Sequence, residues 1–295
     1  MTEFKFLVCL SFFALFNYFR LPNEDWMLLR LKSVVNKTLG SFVHIYPHHT
    51  SRTMATTSVC SSSSVRYLGQ EEAIQLDQDL FHEYKFTLEQ LMELAGLSVA
   101  TAAYRVYGES HKNSPVLAVA GPGNNGGDAM VAVRHMKLFG FENVTLLNTR
   151  PPTKEFFQAL VTQAEQSGVK IADDPTPFLE ESSRPSLVID GLFGFSFKPP
   201  VRAEMTPFLQ ILSAPASTLL SIDIPSGWDV EEGPPANSPL MPHTLVSLSA
   251  PKKCASFFQG SFHFLGGRFL PPKLVEKYCL NLPQYPATDS VILLK

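Results

Sequence analysis

Two aspartates occupy the same kind of place in this chain. Asp190 and Asp223 each stand at the end of a short apolar run, Leu187–Ile189 and Thr218–Ile222, and each opens a loop rich in Gly and Ser, "DGLFGFSFKPPVR" and "DIPSGWDV". A carboxylate beside a buried strand is costly unless it is solvated, paired or bound to something. A cap or turn would account for one of them. Two such loops, with a third at the end of another apolar run, "GPGNNGGD" (121–128), describe a site. The chemistry on offer is that of oxygen: carboxylates that move protons, and amides and hydroxyls that hold ribose or amide groups. Asn125, Asp190 and Ser226 could bring amide, carboxylate and hydroxyl oxygens together, a set that suits a weakly held alkali ion better than zinc.

The third loop also satisfies a nucleotide pattern. Gly121-Pro-Gly123-Asn-Asn-Gly126 reads as G-x-G-x-x-G. A dinucleotide fold of the usual kind needs an acidic residue roughly 20 positions further on, where the second strand ends. Here that strand ends "LLNTR" without a carboxylate, although Arg150 would suit a 2′-phosphate. Asp128, expected in the first turn of the following helix, would already use the field that draws anions to a helix N-terminus. A P-loop fails too, because Gly127-Asp128 stands where Lys-Ser/Thr is required. The informative unit is the longer string Asn-Asn-Gly-Gly-Asp.

The elements that must position these loops alternate along the chain. Apolar, β-rich runs lie at Val116–Ala120, Val144–Leu147, Leu187–Ile189, Thr218–Ile222 and Thr244–Leu248, with helical stretches at Asp128–Phe139, Thr153–Ser167 and Ala203–Leu212. Strands apolar on both faces and separated by helices predict a mostly parallel sheet covered on both sides, an α/β/α Rossmann-like domain. In such a sheet ligands sit beyond the carboxyl ends of the strands, where all three loops emerge. Two helices are expected ahead of the sheet. The second opens with Thr87 and Gln90 in capping-box spacing and carries the apolar stripe Leu88, Leu91, Met92, Ala95, Val99, Ala102 and Val106. "FLGGRFLPP" near the C-terminus reads as a tight turn region, followed by a short helix at Lys273–Tyr278.

The chain divides at about residue 66. Residues 1–66 carry seven Lys/Arg and three Asp/Glu, and residues 67–295 carry seventeen and twenty-four, so the body is near −7 although the whole chain is −3. An acidic body without a basic stripe argues against nucleic acid as the main partner. The run Phe4–Phe19 is shorter than the roughly 18–20 residues of a membrane span. No acidic residue occurs from Met27 to Gln70, where Arg, Lys, Ser and Thr mix with apolar residues. That composition predicts a transit peptide and mitochondrial import, with Met27 and Met54 as alternative starts that would give a cytosolic short form; a disordered tail is the competing reading. Residues 67–295 are expected to form a single domain. Four cysteines make no disulfide framework and are expected to be reduced, and the body's five histidines lack ligand spacing.

Taken in order, "GPGNNGGDAMVAVRHMKLFG", "VIDGLFGFSFK", "SIDIPSGWDV" and "APKKCASFFQG…HFLGGRFLPP" resemble the NAD(P)H-hydrate epimerase family, whose vertebrate members are also called apolipoprotein A-I-binding proteins. The likeness runs from about Tyr67 to the C-terminus, with Ala129 as a small departure where many members have a second Gly. It implies a Rossmann-like fold, a homodimer, a bound potassium ion, and interconversion of the R and S hydrates of NADH and NADPH so that a separate S-specific dehydratase can restore the cofactor. It further implies that Asn124, Asn125, Gly126, Gly127 and Asp128 bind the hydrate, together with Gly194, Phe195, Ser196, Phe197, Lys198, Pro199 and Pro200. By the same resemblance, Asn125, Asp190 and Ser226 would hold potassium, and Asp223 would contact the substrate.

Inversion at C6 of the nicotinamide ring needs a proton-transfer group. Asp223 is the candidate general acid/base, since a dry crevice can raise a carboxyl pKa toward neutrality. Lys198 is a second candidate, as an acid or as a partner for phosphate. Two other readings compete: an NAD(P)-dependent oxidoreductase, and a non-catalytic protein that binds an apolipoprotein A-I-like partner.

Overall fold

The computed structural model describes residues 64–198, 201–215, 217–236, 238 and 240–295. The leader up to residue 63 lies outside the described residues, as do Pro199 and Pro200. Two helices come first. α1 (Gln70–His82) buries Ala73, Leu76 and Leu80 along one side. α2 (Leu88–Tyr107) starts at the expected capping box: Gln90 N donates to Thr87 Oγ1 (3.3 Å) while Thr87 N donates to Gln90 Oε1 (2.9 Å). Its stripe is buried from Leu91 through Met92, Ala95 and Val99 to Ala102, with Leu88 and Val106 partly buried at the edge.

The alternating region follows as β1 (Val116–Ala120), α3 (Asn124–Leu138), β2 (Val144–Asn148), α4 (Glu155–Gln166), β3 (Lys170–Ala172), α5 (Thr176–Leu179), β4 (Leu187–Gly191), α6 (Thr206–Leu212), β5 (Thr218–Ile222), β6 (Thr244–Leu248), β7 (Phe262–Gly266), α7 (Pro272–Lys277) and β8 (Ile292–Leu293). One sheet holds all eight strands in the order β3-β2-β1-β4-β5-β6-β7-β8, parallel throughout except for β8 against β7. Alternate residues of each strand feed two different cores. Val116, Ala118 and Ala120 of β1 pack with Val99, Met130 and Val133 on one face, whereas Leu117 and Val119 pack with Phe208, Ile211 and Leu212 on the other. This two-sided burial explains the continuously apolar strands and gives the three-layer α/β/α architecture.

The chain runs outward from β1 to β2 and β3, then returns to lay β4 on the other side of β1. The strand order therefore reverses between β1 and β4, where open parallel sheets form their ligand crevice. Ala120 pairs with Gly191 in that register, so the loops after β1 and β4 leave the sheet side by side.

Several boundaries differ from expectation. Asp190 lies inside β4, one residue before its end, rather than just past it. In "FLGGRFLPP", Phe264, Leu265 and Gly266 belong to β7, and the turn begins only at Gly267 (φ +71°). The expected helix from Ala203 opens as a short 3-10 turn, Ala203–Met205, before α6. The cysteines are not all reduced: Cys254 is free and buried, but Cys279 is disulfide-bonded.

Candidate active site

The glycine-rich turn after β1 is shaped first by packing. A Cβ on Gly121 would lie 1.8 Å from the Leu192 carbonyl oxygen, and one on Gly126 would lie 1.9 Å from the Gly121 carbonyl oxygen. A Cβ on Gly127 would strike Met92 Sδ at 2.4 Å. These three glycines let β1, β4, α2 and α3 approach closely, so Gly126 and Gly127 act on a ligand only by placing their neighbours. Gly123 differs, because a Cβ there would meet nothing within 4 Å. We expect Gly126→Ala to cost about 1–3 kcal/mol through forced backbone shifts, read as a lower unfolding midpoint in urea at unchanged m.

α3 begins at Asn124, four residues earlier than the sequence pattern suggests, with Gly123 as its N-cap. Asp128 is therefore in the second turn, and the first turn holds no acidic residue. That removes the objection that Asp128 blocks the helix N-terminus. The helix starts early because tertiary packing overrides the poor helix propensity of Asn-Asn-Gly-Gly.

Asn125, Asp190 and Ser226 do come together. Asp190 is fully buried and saturated by donors: Ser226 N (2.9 Å), Ser221 Oγ (2.8 Å), Leu192 N (3.3 Å) and Ser226 Oγ. Burial raises its pKa, and the hydrogen bonds from Ser226, Ser221 and Leu192 pull it back. Ser226 Oγ in turn accepts from Phe193 N (2.9 Å), and Asn125 Nδ2 donates to the carbonyl oxygens of Phe193 (2.7 Å) and Ile222 (3.2 Å). One polar network thus ties the loops after β1, β4 and β5. The oxygens it gathers, the Ser221 and Ser226 hydroxyls and the Phe193 and Ile222 carbonyls, are neutral and lie around a single buried carboxylate, a set that suits an alkali ion rather than a transition metal. Among the described residues, no group of three His, Cys, Asp or Glu converges.

Asp223 lines a cavity of about 290 Å³ over the ends of β4, β5 and β6. Its carboxylate accepts from Lys252 Nζ (2.7 Å) and Leu248 N (3.0 Å), and both side chains of the ion pair are under a tenth exposed. Lys252 also donates to the Leu248 carbonyl (2.9 Å). Asp223 (φ +60°) and Ser249 (φ +63°) both hold left-handed backbone at neighbouring strand ends, a strain that non-glycine residues keep where the surroundings demand it. Asp128 and Asp77 line the same cavity. Burial pushes the Asp128 carboxyl well above its ordinary range, and the charges of Asp223 and Asp77 push it further. Burial likewise takes Asp77 to about 6, with Lys252 opposing and Asp223 adding to the shift.

Asn124, Asn125, Asp128, Gly194, Phe195, Ser196 and Asp223 therefore line one cavity. Lys198 does not join Asp223. It is exposed on a neighbouring groove with Phe197, and Lys252 is the lysine that meets the aspartate. Lys252, Ser249 and Asp77 were not among the candidates. The signal for Lys252 was present in "APKKC", which follows a fourth strand end; Asp77 sits on the outer helix α1, with no local pattern to mark it.

Residues 88–254 match the family described as YjeF-related protein N-terminus, more than half of the chain. The chain belongs to the NAD(P)H-hydrate epimerase (YjeF N-terminal) family. It is similar to the yeast protein YNL200c (ynu0) of known crystal structure: 35% identity, 78% of this chain and 100% of that one covered, and a TM-score of 0.73. The dehydroquinate dehydratase and shikimate dehydrogenase AroM from S. pombe matches at 15% identity, 42% of this chain, 24% of that one and a TM-score of 0.30, too weak to carry an argument. Among the described residues no helix is long and apolar enough to cross a membrane.

Proposed function

We propose that this protein interconverts the R and S forms of hydrated NADH and NADPH at C6 of the nicotinamide ring. The observation that carries the reading is a single cavity at the topological switch, holding the Asp223–Lys252 ion pair beside the carboxyl of Asp128, which burial favours in its neutral form. A paired carboxylate and a neutral carboxylic acid side by side supply a proton acceptor and a proton donor. As the C6–O bond breaks, the ring nitrogen lone pair forms the N1=C6 double bond, and a proton from the acid lets the hydroxyl leave as water. Water then adds to the other face of C6, the electron pair returns to N1, and the acceptor carboxylate takes the released proton. Asp223 is the residue we assign to that proton transfer.

Potassium belongs to the same proposal. Asn125 and Ser226 would present neutral oxygens to it, with Asp190 supplying the compensating charge from a position already saturated by four hydrogen bonds. When bound, it would supply a fixed positive charge beside the loops that hold the substrate. Homodimerisation, an apolipoprotein A-I-type partner and mitochondrial import are parts of the proposal that rest on the family resemblance and on the composition of residues 1–66.

The test couples this protein to an S-specific hydrate dehydratase acting on mixed hydrates. Alone, the dehydratase should stop when the S form is exhausted; with this protein added, the R form should be consumed as well, and faster in potassium than in sodium. An R form that persists in both salts contradicts the function, and equal rates in the two salts contradict the potassium site. An oxidoreductase would instead change nicotinamide absorbance without the dehydratase.

A further inference from the structure

α1 precedes the residues that match the family, which begin at 88, yet it forms part of the wall of the inner cavity. Ala73, Leu76 and Leu80 pack with Ala250, Leu274 and Leu280, which fixes the rotation of the helix. Asp77 and Phe81, four residues apart and so on one face, then line the cavity. Gln70 ties the start of the helix to the loop after β4, its Nε2 donating to the Phe195 carbonyl (2.7 Å).

The two aspartates near the middle of α1 differ in what holds them. Asp79 accepts from Lys277 Nζ (2.7 Å), Tyr278 Oη (2.7 Å) and Gln75 Nε2 (3.1 Å), so it fastens the helix to the C-terminal segment. Asp77 is half-buried and, among the described residues, has no hydrogen-bond or salt-bridge partner. A carboxylate so placed costs stability and adds nothing to the packing of the helix. The titratable groups that line the cavity with it are Asp128 from α3, Asp223 at the end of β5 and Lys252 beyond β6; the α2 residues that face it are apolar. Lys252 is bound to Asp223, and Asp128, more than nine-tenths buried, has no partner.

The proposed reaction displaces a proton among these groups. In each conversion of R to S, Asp128 gives its proton to the leaving hydroxyl and Asp223 takes one from the entering water. A second conversion in the same direction requires that proton to return from Asp223 to Asp128. Both carboxyls are buried and Lys252 is committed, which leaves Asp77, the half-exposed member of the set. We propose that Asp77 is the relay that carries this proton back to Asp128 between turnovers. The O–H bond of Asp223 breaks as that of Asp77 forms, and Asp77 then yields the proton to Asp128, so a full cycle gains no atom and no charge. The relay rests on the proposed function, which sets the direction of the displacement. Burial takes Asp77 to about 6, with Lys252 opposing and Asp223 adding, so it both accepts and releases a proton near neutrality. Asp128 is held well above its ordinary range by burial and by the charges of Asp223 and Asp77, so the proton ends there.

Asp77→Asn should therefore separate the first turnover from those that follow. With protein in excess over purified R hydrate, conversion to S should stay within about twofold of wild type, whereas the multiple-turnover rate, coupled to an S-specific dehydratase, should fall about tenfold or more. Imidazole added at constant pH and ionic strength should restore the multiple-turnover rate of the variant in proportion to its concentration and leave wild type unchanged, because a small buffer acid replaces the missing carboxyl. Glu71→Gln removes an exposed carboxylate from the same helix, away from the cavity, and should match wild type in all three measurements. A wild-type multiple-turnover rate in Asp77→Asn would overturn the proposal. So would a loss of equal size in the first turnover that imidazole does not reverse, since that marks a damaged site. Wild-type protein unable to convert R hydrate would remove the epimerase reading and the step that the relay serves; an active wild type with an unimpaired Asp77→Asn variant would remove the relay alone.

Discussion

Asp223→Asn is expected to slow hydrate epimerisation by about 10²–10⁴-fold while leaving the protein folded. Asparagine tolerates left-handed backbone better than most residues, so the φ of +60° at this position is kept without new strain. Its side-chain oxygen can still accept from Leu248 N, as Asp223 does now at 3.0 Å. What the amide cannot do is take a proton from water or return it. The variant should show the loss in kcat on purified R hydrate, with binding of ADP-ribose preserved. Turnover within about threefold of wild type, a change worth less than 1 kcal/mol in barrier, would remove Asp223 from the proton-transfer role.

The second large effect is on stability. Lys252→Met keeps the length of the side chain but leaves Asp223 buried without its cation, a change that typically costs about 3–5 kcal/mol. For a domain of this size that corresponds to a fall in Tm of roughly 10 °C. The loss should be pH-dependent. Lys252 lowers the Asp77 and Asp128 carboxyls, so its removal raises both further. A carboxyl whose folded pKa is raised binds protons more readily in the folded state, so stability is present at low pH and lost as pH rises through the folded value. Asp77 is already at about 6 with Lys252 in place, and the deficit of the variant should therefore shrink on acidification through that range. Thermal melts between pH 5 and 8 check this. Asp223→Asn/Lys252→Met should recover part of the loss, because neither charge then remains uncompensated. A single variant as stable as wild type at neutral pH would mean that the ion pair is not what holds the cavity.

Much of this architecture was legible because burial on both sheet faces leaves a plain mark. β1, β5 and β6 fall on the apolar runs Val116–Ala120, Thr218–Ile222 and Thr244–Leu248. β3 is three residues long and only partly buried, and β7 carries a polar residue, His263, at its second position, so neither presents a continuous apolar run. β8 is a two-residue antiparallel edge strand with no signal of its own. The site divided in the same way. Residues at or just beyond strand ends, such as Asn125, Asp190, Asp223 and Ser226, are marked by polar groups standing where an apolar run stops. Lys252 and Asp77 did not, since a lysine in a loop and an aspartate on an amphipathic helix are normally solvated. Only the fold brings them to Asp223. The sequence pattern places Asp128 as an obstacle at a helix N-terminus; in the fold it stands instead as a buried acid one turn inside.

Purified R hydrate, free of the S form, incubated with this protein and resolved by chromatography over time, tests the central claim most directly. The account predicts appearance of S hydrate until both forms reach equilibrium, with total hydrate conserved and no NAD(P)H or NAD(P)⁺ produced. R hydrate that converts no faster than in buffer alone, or that is consumed with net oxidation or reduction, would contradict it.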